Sequence, residues 1–118
     1  GSRTRAALCM EYELMRSDKP PVATDHCSIG FHGTAVQAFM REYDEVKPDV
    51  VLACGPAPML RALKVAMEGK GVPVYVSLEE RMGCGIGACL VCVCETTGGA
   101  HARVCKDGPV FEINDVVL

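Results

Sequence analysis

The feature that most constrains this chain is a cysteine-rich segment over residues 82–94, Met-Gly-Cys-Gly-Ile-Gly-Ala-Cys-Leu-Val-Cys-Val-Cys. Cys84, Cys89 and Cys92 follow a C-x4-C-x2-C pattern, and twelve residues separate Cys92 from Cys105. This order of four thiols is typical of a plant-type loop that binds a [2Fe–2S] cluster. The pattern therefore predicts that these four cysteines are metal ligands.

Glycine occupies positions 83, 85 and 87 within the same segment. A loop that wraps a cluster needs positive backbone φ angles and a close approach of the chain, both of which glycine permits. Small residues also leave N–H groups free to hydrogen-bond the sulfurs, which helps to set the reduction potential. We expect a tightly curled loop whose amides point at the thiols.

Other uses of the cysteines stay open at this point. Structural zinc sites use the same ligands but usually pair two C-x2-C knuckles, and only Cys89 and Cys92 form one here. A disulfide framework is typical of small secreted domains, whereas this sequence shows no signal peptide. Strand alternation would direct Cys94 to the same side as Cys92. Cys94 could thus replace a ligand, although we expect it to be a passive neighbour.

Composition excludes several classes of function. The chain has 118 residues, 49% of them hydrophobic, and a net charge of −3, which predicts one compact domain or a small α/β unit with an appended lobe. The sequence has no basic stripe with interleaved aromatic residues, which is the pattern that would indicate nucleic-acid binding. No apolar stretch approaches the length needed to span a membrane. Eight cysteines without an export signal predict a reducing, cytoplasmic location.

Helix-like and strand-like patterns alternate through residue 77, which predicts a small parallel sheet with flanking helices. The apolar run over 49–54 is typical of a parallel strand covered on both faces. Prolines at 56 and 58 suit the first turn of a helix. The predicted order is helix 4–16, strand 22–24, helix 34–43, strand 49–54, a third helix after Pro56, and strand 72–77. We expect residues 3–77 to form a partial nucleotide-binding α/β domain. Residues 78–118 are expected to form a separate, loop-rich cluster domain, with strand candidates at 102–104 and 109–112.

Two segments follow predicted strands at the edge where open parallel sheets bind ligands. They are residues 24–30 and residues 54–56. In both, a strand end meets a glycine turn and a helix start, whose N–H groups suit a phosphate or a carboxamide. An ordinary strand-to-helix loop also accounts for either segment taken alone. The G-x-G-x-x-G fingerprint of dinucleotide sites is absent after any predicted strand.

Four stretches of the chain carry a family resemblance. They read Thr24-Asp25-x-x-Ser28-x-Gly30-x-x-Gly33, Cys54-Gly55-Pro56-x-Pro58-Met59-Leu60, Ser77-Leu78-Glu79-x-Arg81-Met82-x-Cys84-Gly85-Ile86-Gly87-Ala88-Cys89-x-x-Cys92, and Val104-Cys105-x-Asp107-Gly108-Pro109-Val110-Phe111. Together they resemble the electron transfer subunit of class 1B dihydroorotate dehydrogenase, from residue 4 onward. The cysteine segment through Pro109 is the most specific part, since the Cys-Gly-Pro turn is shared with many ferredoxin reductase-like flavoproteins.

The resemblance implies the C-terminal part of a ferredoxin reductase-like nucleotide-binding domain followed by a small [2Fe–2S] lobe. It implies FAD in the full-length subunit, NAD as substrate, and an FMN-containing catalytic subunit as partner in pyrimidine biosynthesis. The nucleotide-contacting positions it implies are Thr24, Asp25, Ser28, Cys54, Gly55 and Pro56. The family usually has Asp-Gly where this chain has His26-Cys27. The resemblance implies a C-terminal fragment without the FAD-binding barrel, which we expect neither to hold FAD nor to be active alone.

The leading hypothesis is therefore an electron relay between FAD or NAD and the flavin of a partner. One alternative is the reductase component of another NAD(P)H-dependent iron–sulfur flavoprotein system. Plant-type ferredoxin domains of such reductases place the fourth cysteine much further along the chain, so the twelve-residue gap before Cys105 favours the dihydroorotate system. The other alternative is a non-redox zinc module that serves protein–protein contact.

Overall fold

The computed structural model describes residues 1–7, 16 and 21–118, which form two compact units, 1–47 and 48–118. The helix predicted over residues 4–16 lies largely outside the described residues, of which Arg5–Ala7 form a short 3-10 turn. The boundary expected at residue 77, between a nucleotide-binding part and a cluster domain, stays a prediction.

The described residues of the first unit include a two-stranded parallel sheet and a helix that follows it. Strand β1, Ala23–Thr24, pairs with β2, Phe31–His32, and helix α1 covers Ala35–Val46. Thr34 caps this helix: Gln37 N–H donates to the Thr34 hydroxyl at 3.2 Å and Thr34 N–H donates to Gln37 Oε1 at 2.9 Å. Such a reciprocal cap satisfies two amides that have no partner within the helix. The predicted strand at 22–24 and the predicted helix at 34–43 are confirmed, and the helix runs three residues further.

The second unit is built around a β–α–β element. Strand β3, Val51–Cys54, leads into helix α2, Ala57–Met67, and strand β4, Val74–Ser77, returns parallel to β3. Pro56 is the N-cap of α2 and Pro58 lies in its first turn, as the sequence predicts. Leu60, Leu63 and Met67 form the buried side of the helix. This segment confirms the predicted α/β organisation with a parallel sheet.

The cysteine-bearing part of this unit is connected to the same sheet. Strands β5, Val93–Glu95, and β6, His101–Arg103, form an antiparallel pair that is followed by the short helix α3, Val104–Asp107. Strand β7, Val110–Glu112, then pairs antiparallel with β4, so the sheet order is β3-β4-β7. Lys64 Nζ of α2 donates to Val116 O at 2.9 Å. The strands predicted at 102–104 and 109–112 correspond to β6 and β7, whereas neither β5 nor the pairing of β7 with β4 is predicted from the sequence.

The expectation that the strand at 49–54 is covered on both faces is wrong. Val51 is buried opposite Val74, whereas Leu52 is 75% exposed opposite Tyr75, which is 40% exposed. Because successive strand side chains point to opposite faces, the second pair lies on the open face of the sheet. A continuous apolar run does not distinguish these two situations. Among the described residues, no helix has the length and apolar character required to cross a bilayer.

Candidate metal centre

The four predicted ligands lie close together as two contacting pairs. Cys84 and Cys89 form one pair, since Cys89 N–H donates to Cys84 Sγ, and Cys92 and Cys105 form the other, since Cys105 N–H donates to Cys92 Sγ. Negative charge on Cys84 also raises the pKa of the Cys105 thiol, so the two pairs are neighbours. Within residues 1–7, 16 and 21–118, no three His, Cys, Asp or Glu side chains converge on one position that could hold a single ion. The arrangement is two adjacent pairs of sulfurs.

Backbone amides surround these sulfurs. Ala88 N–H and Cys89 N–H donate to Cys84 Sγ at 3.3 and 3.4 Å, and Cys105 N–H donates to Cys92 Sγ at 3.4 Å. The Cys89 N–H is the largest of several hydrogen bonds, including one from Ile86 N–H, that lower the pKa of Cys84 to about 6. The thiolate is the form that binds metals. The loop therefore stabilises the ligand form of Cys84.

Cys105 behaves in the opposite way. Its hydrogen bond with Cys92, followed by desolvation, raises the pKa of the Cys105 thiol. Two thiols in contact resist a second negative charge unless a cation neutralises it. A metal group that contributes positive charge would allow all four sulfurs to be thiolates together, and the donor set fits an iron–sulfur cluster.

The loop can approach the sulfurs because its glycines leave space. Gly87 has a φ of 80°, and a Cβ placed there would lie 2.8 Å from Lys106 Cδ. A Cβ on Gly83 would lie 2.8 Å from Cys89 Sγ, which is closer than a carbon atom can approach. Leu90 also has a left-handed backbone, with a φ of 59°. The curled, amide-lined loop expected from the sequence is what the structure has.

Arg103 joins the cysteine loop to the segment that carries Cys105. Its Nε and Nη2 donate to Asp107 carboxylate oxygens at 2.9 and 3.1 Å, and its backbone N–H donates to Asp107 Oδ2 at 2.8 Å. The Nη1 group donates to Gly87 O at 3.3 Å. These contacts with Asp107 raise the pKa of Arg103 and lower that of Asp107. Arg103 is not among the residues predicted from the sequence, although an Arg and an Asp four positions apart around Cys105 form a recognisable signal.

Solvent reaches one sulfur pair more readily than the other. Cys84 and Cys89 are exposed, whereas Cys92 is only 2% exposed and Cys105 is half-buried. Cys94 is also half-buried, and desolvation raises the pKa of its thiol. Its side chain lines a separate cleft on the same unit. The expectation that Cys94 is not a ligand stays a prediction.

That cleft lies where β3 and β4 end. Cys54 is paired in register with Ser77, and the Cys54 thiol lies 3.9 Å from Glu79 Oε1. The cleft has a volume of about 310 Å³ and its walls include Gly55, Pro56, Leu78, Glu79, Glu80 and Cys94. The wall also includes Arg61, so the cleft presents one cation beside the carboxylates of Glu79 and Glu80, and these carboxylates can accept hydrogen bonds from a donor such as a carboxamide. Of the predicted nucleotide residues, Gly55 and Pro56 thus line the cleft, and Cys54 lies beside it through its contact with Glu79.

The other three predicted nucleotide residues lie in the first unit. Thr24 is fully buried, and its hydroxyl donates to Ile29 O at 2.8 Å and accepts from Ile29 N–H at 3.3 Å. The amides of Asp25 and His26 donate to carbonyls of residues 2 and 3. Ser28 Oγ accepts from the Arg5 N–H at 2.7 Å. The loop is therefore held by internal bonds, and Asp25 and Ser28 are its exposed members among the three.

Comparison with known proteins agrees with this geometry. Residues 79–117 match the family model for the iron–sulfur cluster binding domain of dihydroorotate dehydrogenase B. The chain is 46% identical over its full length to the electron transfer subunit of dihydroorotate dehydrogenase B (NAD(+)) from Geobacillus thermodenitrificans, of which it spans 45%. It is 56% identical to the corresponding Bacillus velezensis subunit over 82% of the chain and 37% of that protein. The chain thus spans about half the length of these relatives, or less.

A solved structure shares the fold. It is the NADH-dependent reduced ferredoxin–NADP oxidoreductase studied for flavin-based electron bifurcation, which matches with a TM-score of 0.72 and 31% identity over 82% of this chain and 34% of that one. The reductase-like α/β fold predicted from the sequence is confirmed by this likeness. With its cluster-binding domain, its identity to the curated subunits and this fold, the chain belongs to the family of dihydroorotate dehydrogenase B electron transfer subunits.

Proposed function

We propose that this chain holds a [2Fe–2S] cluster on Cys84, Cys89, Cys92 and Cys105. The observation that carries the proposal is the arrangement of the four cysteines as two pairs, Cys84 with Cys89 and Cys92 with Cys105, each joined by an amide-to-sulfur hydrogen bond of 3.4 Å. A cluster with two irons needs two thiolates on each iron, which this pairing supplies. When bound, such a cluster accepts and passes on single electrons. The amides on Cys84 and Cys92 stabilise the negative charge of the sulfurs.

The role of this centre is to relay electrons between FAD or NAD and an FMN-containing dihydroorotate dehydrogenase subunit, in pyrimidine biosynthesis. Family membership and the reductase-like fold support this assignment. The exposed Cys84 and Cys89 place one sulfur pair where a partner can approach it. In this assignment the chain is one component of an oxidoreductase and does not oxidise dihydroorotate without its partner. The seven free cysteines of the described residues suit a reducing, cytoplasmic location.

The cleft beside Cys54, Gly55 and Pro56 is the better candidate for contact with NAD. Its position at the carboxyl ends of parallel strands is the usual ligand position of such sheets. The carboxylates of Glu79 and Glu80 can accept hydrogen bonds from the carboxamide end of the nucleotide, and Arg61 in the same wall offers a cation to a phosphate. Thr24, Asp25 and Ser28 are the weaker candidates, because several of the polar groups in their loop already have partners.

The structural likeness to an NADH-dependent ferredoxin–NADP oxidoreductase favours one alternative. In that reading the chain is part of the reductase component of another NAD(P)H-dependent flavoprotein, with the same cluster on the same cysteines. The two readings differ only in the protein that exchanges electrons with the cluster.

The test begins with the isolated chain, purified without oxygen. Iron and acid-labile sulfide should be present in equal amounts, about two of each per chain. The visible spectrum should bleach on reduction, when an EPR signal should appear. A zinc module would be colourless and free of sulfide, which would refute the proposal. NADH-driven reduction of the FMN subunit, measured with the full-length subunit and compared with reduction of a ferredoxin, then separates the two readings.

A further inference from the structure

A single peptide group connects Arg103 to the sulfur of Cys84. The peptide between Gly87 and Ala88 accepts a hydrogen bond from Arg103 Nη1 on its carbonyl oxygen, at 3.3 Å. The N–H of the same peptide donates to Cys84 Sγ, also at 3.3 Å. A peptide group is planar, and its C=O and N–H point in opposite directions. Fixing the carbonyl on one side therefore fixes the direction of the amide on the other.

Arg103 is itself held in place by Asp107. Nε and Nη2 form a bidentate pair with the carboxylate at 2.9 and 3.1 Å, which leaves Nη1 to contact Gly87 O. The Arg103 side chain also runs close to the loop, since a Cβ on Gly87 would lie 3.4 Å from Arg103 Cδ. A bidentate fork orients a guanidinium far better than a single bond orients an ammonium group.

We propose that Arg103 is a positioning residue for the cluster: anchored by Asp107, it orients and polarises the 87–88 peptide toward Cys84 Sγ and so raises the reduction potential. The inference rests on the proposed function, in which Cys84 is a cluster ligand. Reduction adds one negative charge to the centre, and hydrogen bonds to the sulfurs stabilise that charge. A chain of hydrogen bonds strengthens each of its members by polarisation. Loss of the guanidinium therefore lowers the potential.

The experiment measures the midpoint potential of the cluster in the full chain by a spectroscopic redox titration with dithionite. The variants are Arg103→Lys, which keeps the charge without the fork, and Arg103→Gln, which loses both. Lys70→Gln is the control, because it removes one positive charge near the amino end of β4, whereas the cysteine loop follows its carboxyl end. Iron and sulfide content is determined for each variant.

Both Arg103 variants should lower the equilibrium constant for reduction by about tenfold, the size of a charge-assisted hydrogen bond, which equals about 59 mV for a one-electron couple. Both should also shift the EPR signal of the reduced centre, and Lys70→Gln should change neither readout. A wild-type potential in Arg103→Lys overturns the inference, because charge alone would then account for any loss in Arg103→Gln. If Arg103→Gln loses its cluster, Arg103→Lys still decides. A wild-type chain without iron and sulfide refutes the proposed function instead.

Discussion

The backbone N–H of Cys105 donates a hydrogen bond to Cys92 Sγ at 3.4 Å, although twelve residues separate the two cysteines. The β5–β6 pair makes this possible, since it reverses the chain after Cys92 and returns it to the start of α3. Val104 N–H donates to Cys92 O at 2.9 Å, which fixes the same approach. The fourth sulfur therefore reaches the loop through sheet pairing rather than through local sequence spacing.

Serine replacement tests the ligand assignment. Cys84→Ser, Cys89→Ser, Cys92→Ser and Cys105→Ser should each abolish or strongly change the visible and EPR spectra of the cluster, because a serine oxygen is a poorer ligand for iron than a thiolate. Cys94→Ser is the matched control and should leave both spectra intact. An unchanged spectrum for Cys105→Ser would contradict the assignment.

Gly87→Ala should destabilise the chain and reduce cluster content. The substitution places a Cβ at a φ of 80° and 2.8 Å from Lys106 Cδ. The left-handed backbone alone costs about 1–2 kcal/mol for a residue other than glycine. Denaturant unfolding measures the loss, and iron analysis measures cluster content.

Gly98→Ala is the control for that substitution. A Cβ on Gly98 would meet nothing within 4 Å, and the residue does not have a positive φ. Its free energy of unfolding should stay within about 0.5 kcal/mol of the parent value. If Gly87→Ala and Gly98→Ala lowered the free energy of unfolding equally, the close packing at Gly87 would not contribute to stability.

The chain should bind nucleotides poorly by itself. The Thr24 hydroxyl and the amides of Asp25 and His26 are engaged within the first unit, which leaves few groups in that loop to bind a nucleotide. Titration calorimetry should detect no tight FAD binding and at most weak NADH binding. Micromolar affinity for either nucleotide would contradict this prediction, because it would show that a ligand can replace these internal hydrogen bonds.

The apolar rim of the cysteine loop should contribute to association with the FMN-containing subunit. Ile86 is 73% exposed and Leu90 is 63% exposed, and exposed apolar side chains of this size are typical of interaction sites. Ile86→Glu and Leu90→Glu should each weaken association of the full-length subunit by about tenfold or more, the loss expected when a central interface residue is disrupted. The visible spectrum of the cluster should not change.

Val65→Glu is the control for these charges, since Val65 is 72% exposed on α2 rather than on the loop. Val65→Glu should not change the association of the full-length subunit with the immobilised FMN-containing subunit. If binding and FMN reduction both survive Ile86→Glu and Leu90→Glu with the cluster intact, the docking surface lies elsewhere.

Helices α1 and α2 and strands β1, β3 and β4 could be predicted because each depends on local pattern, and the assignment of the four cysteines as ligands is a prediction of the same kind. Prolines 56 and 58 mark the start of α2, and alternating helix and strand patterns indicate a parallel sheet that β3 and β4 form. The cysteine spacing and glycines likewise predict a curled loop, since ligand order and backbone freedom are properties of neighbouring residues.

Only the tertiary structure shows which groups surround those sulfurs. Arg103 meets Gly87 O across sixteen positions of sequence, and β7 joins β4 at an edge that no local pattern identifies. The same holds for Leu52, whose apolar character predicts burial but whose face of the sheet is open. Side-chain type and spacing determine what a segment can form. The contacts that orient a peptide toward a sulfur, or leave a strand exposed, depend on how distant segments pack, and that information is not present in any one stretch of the chain.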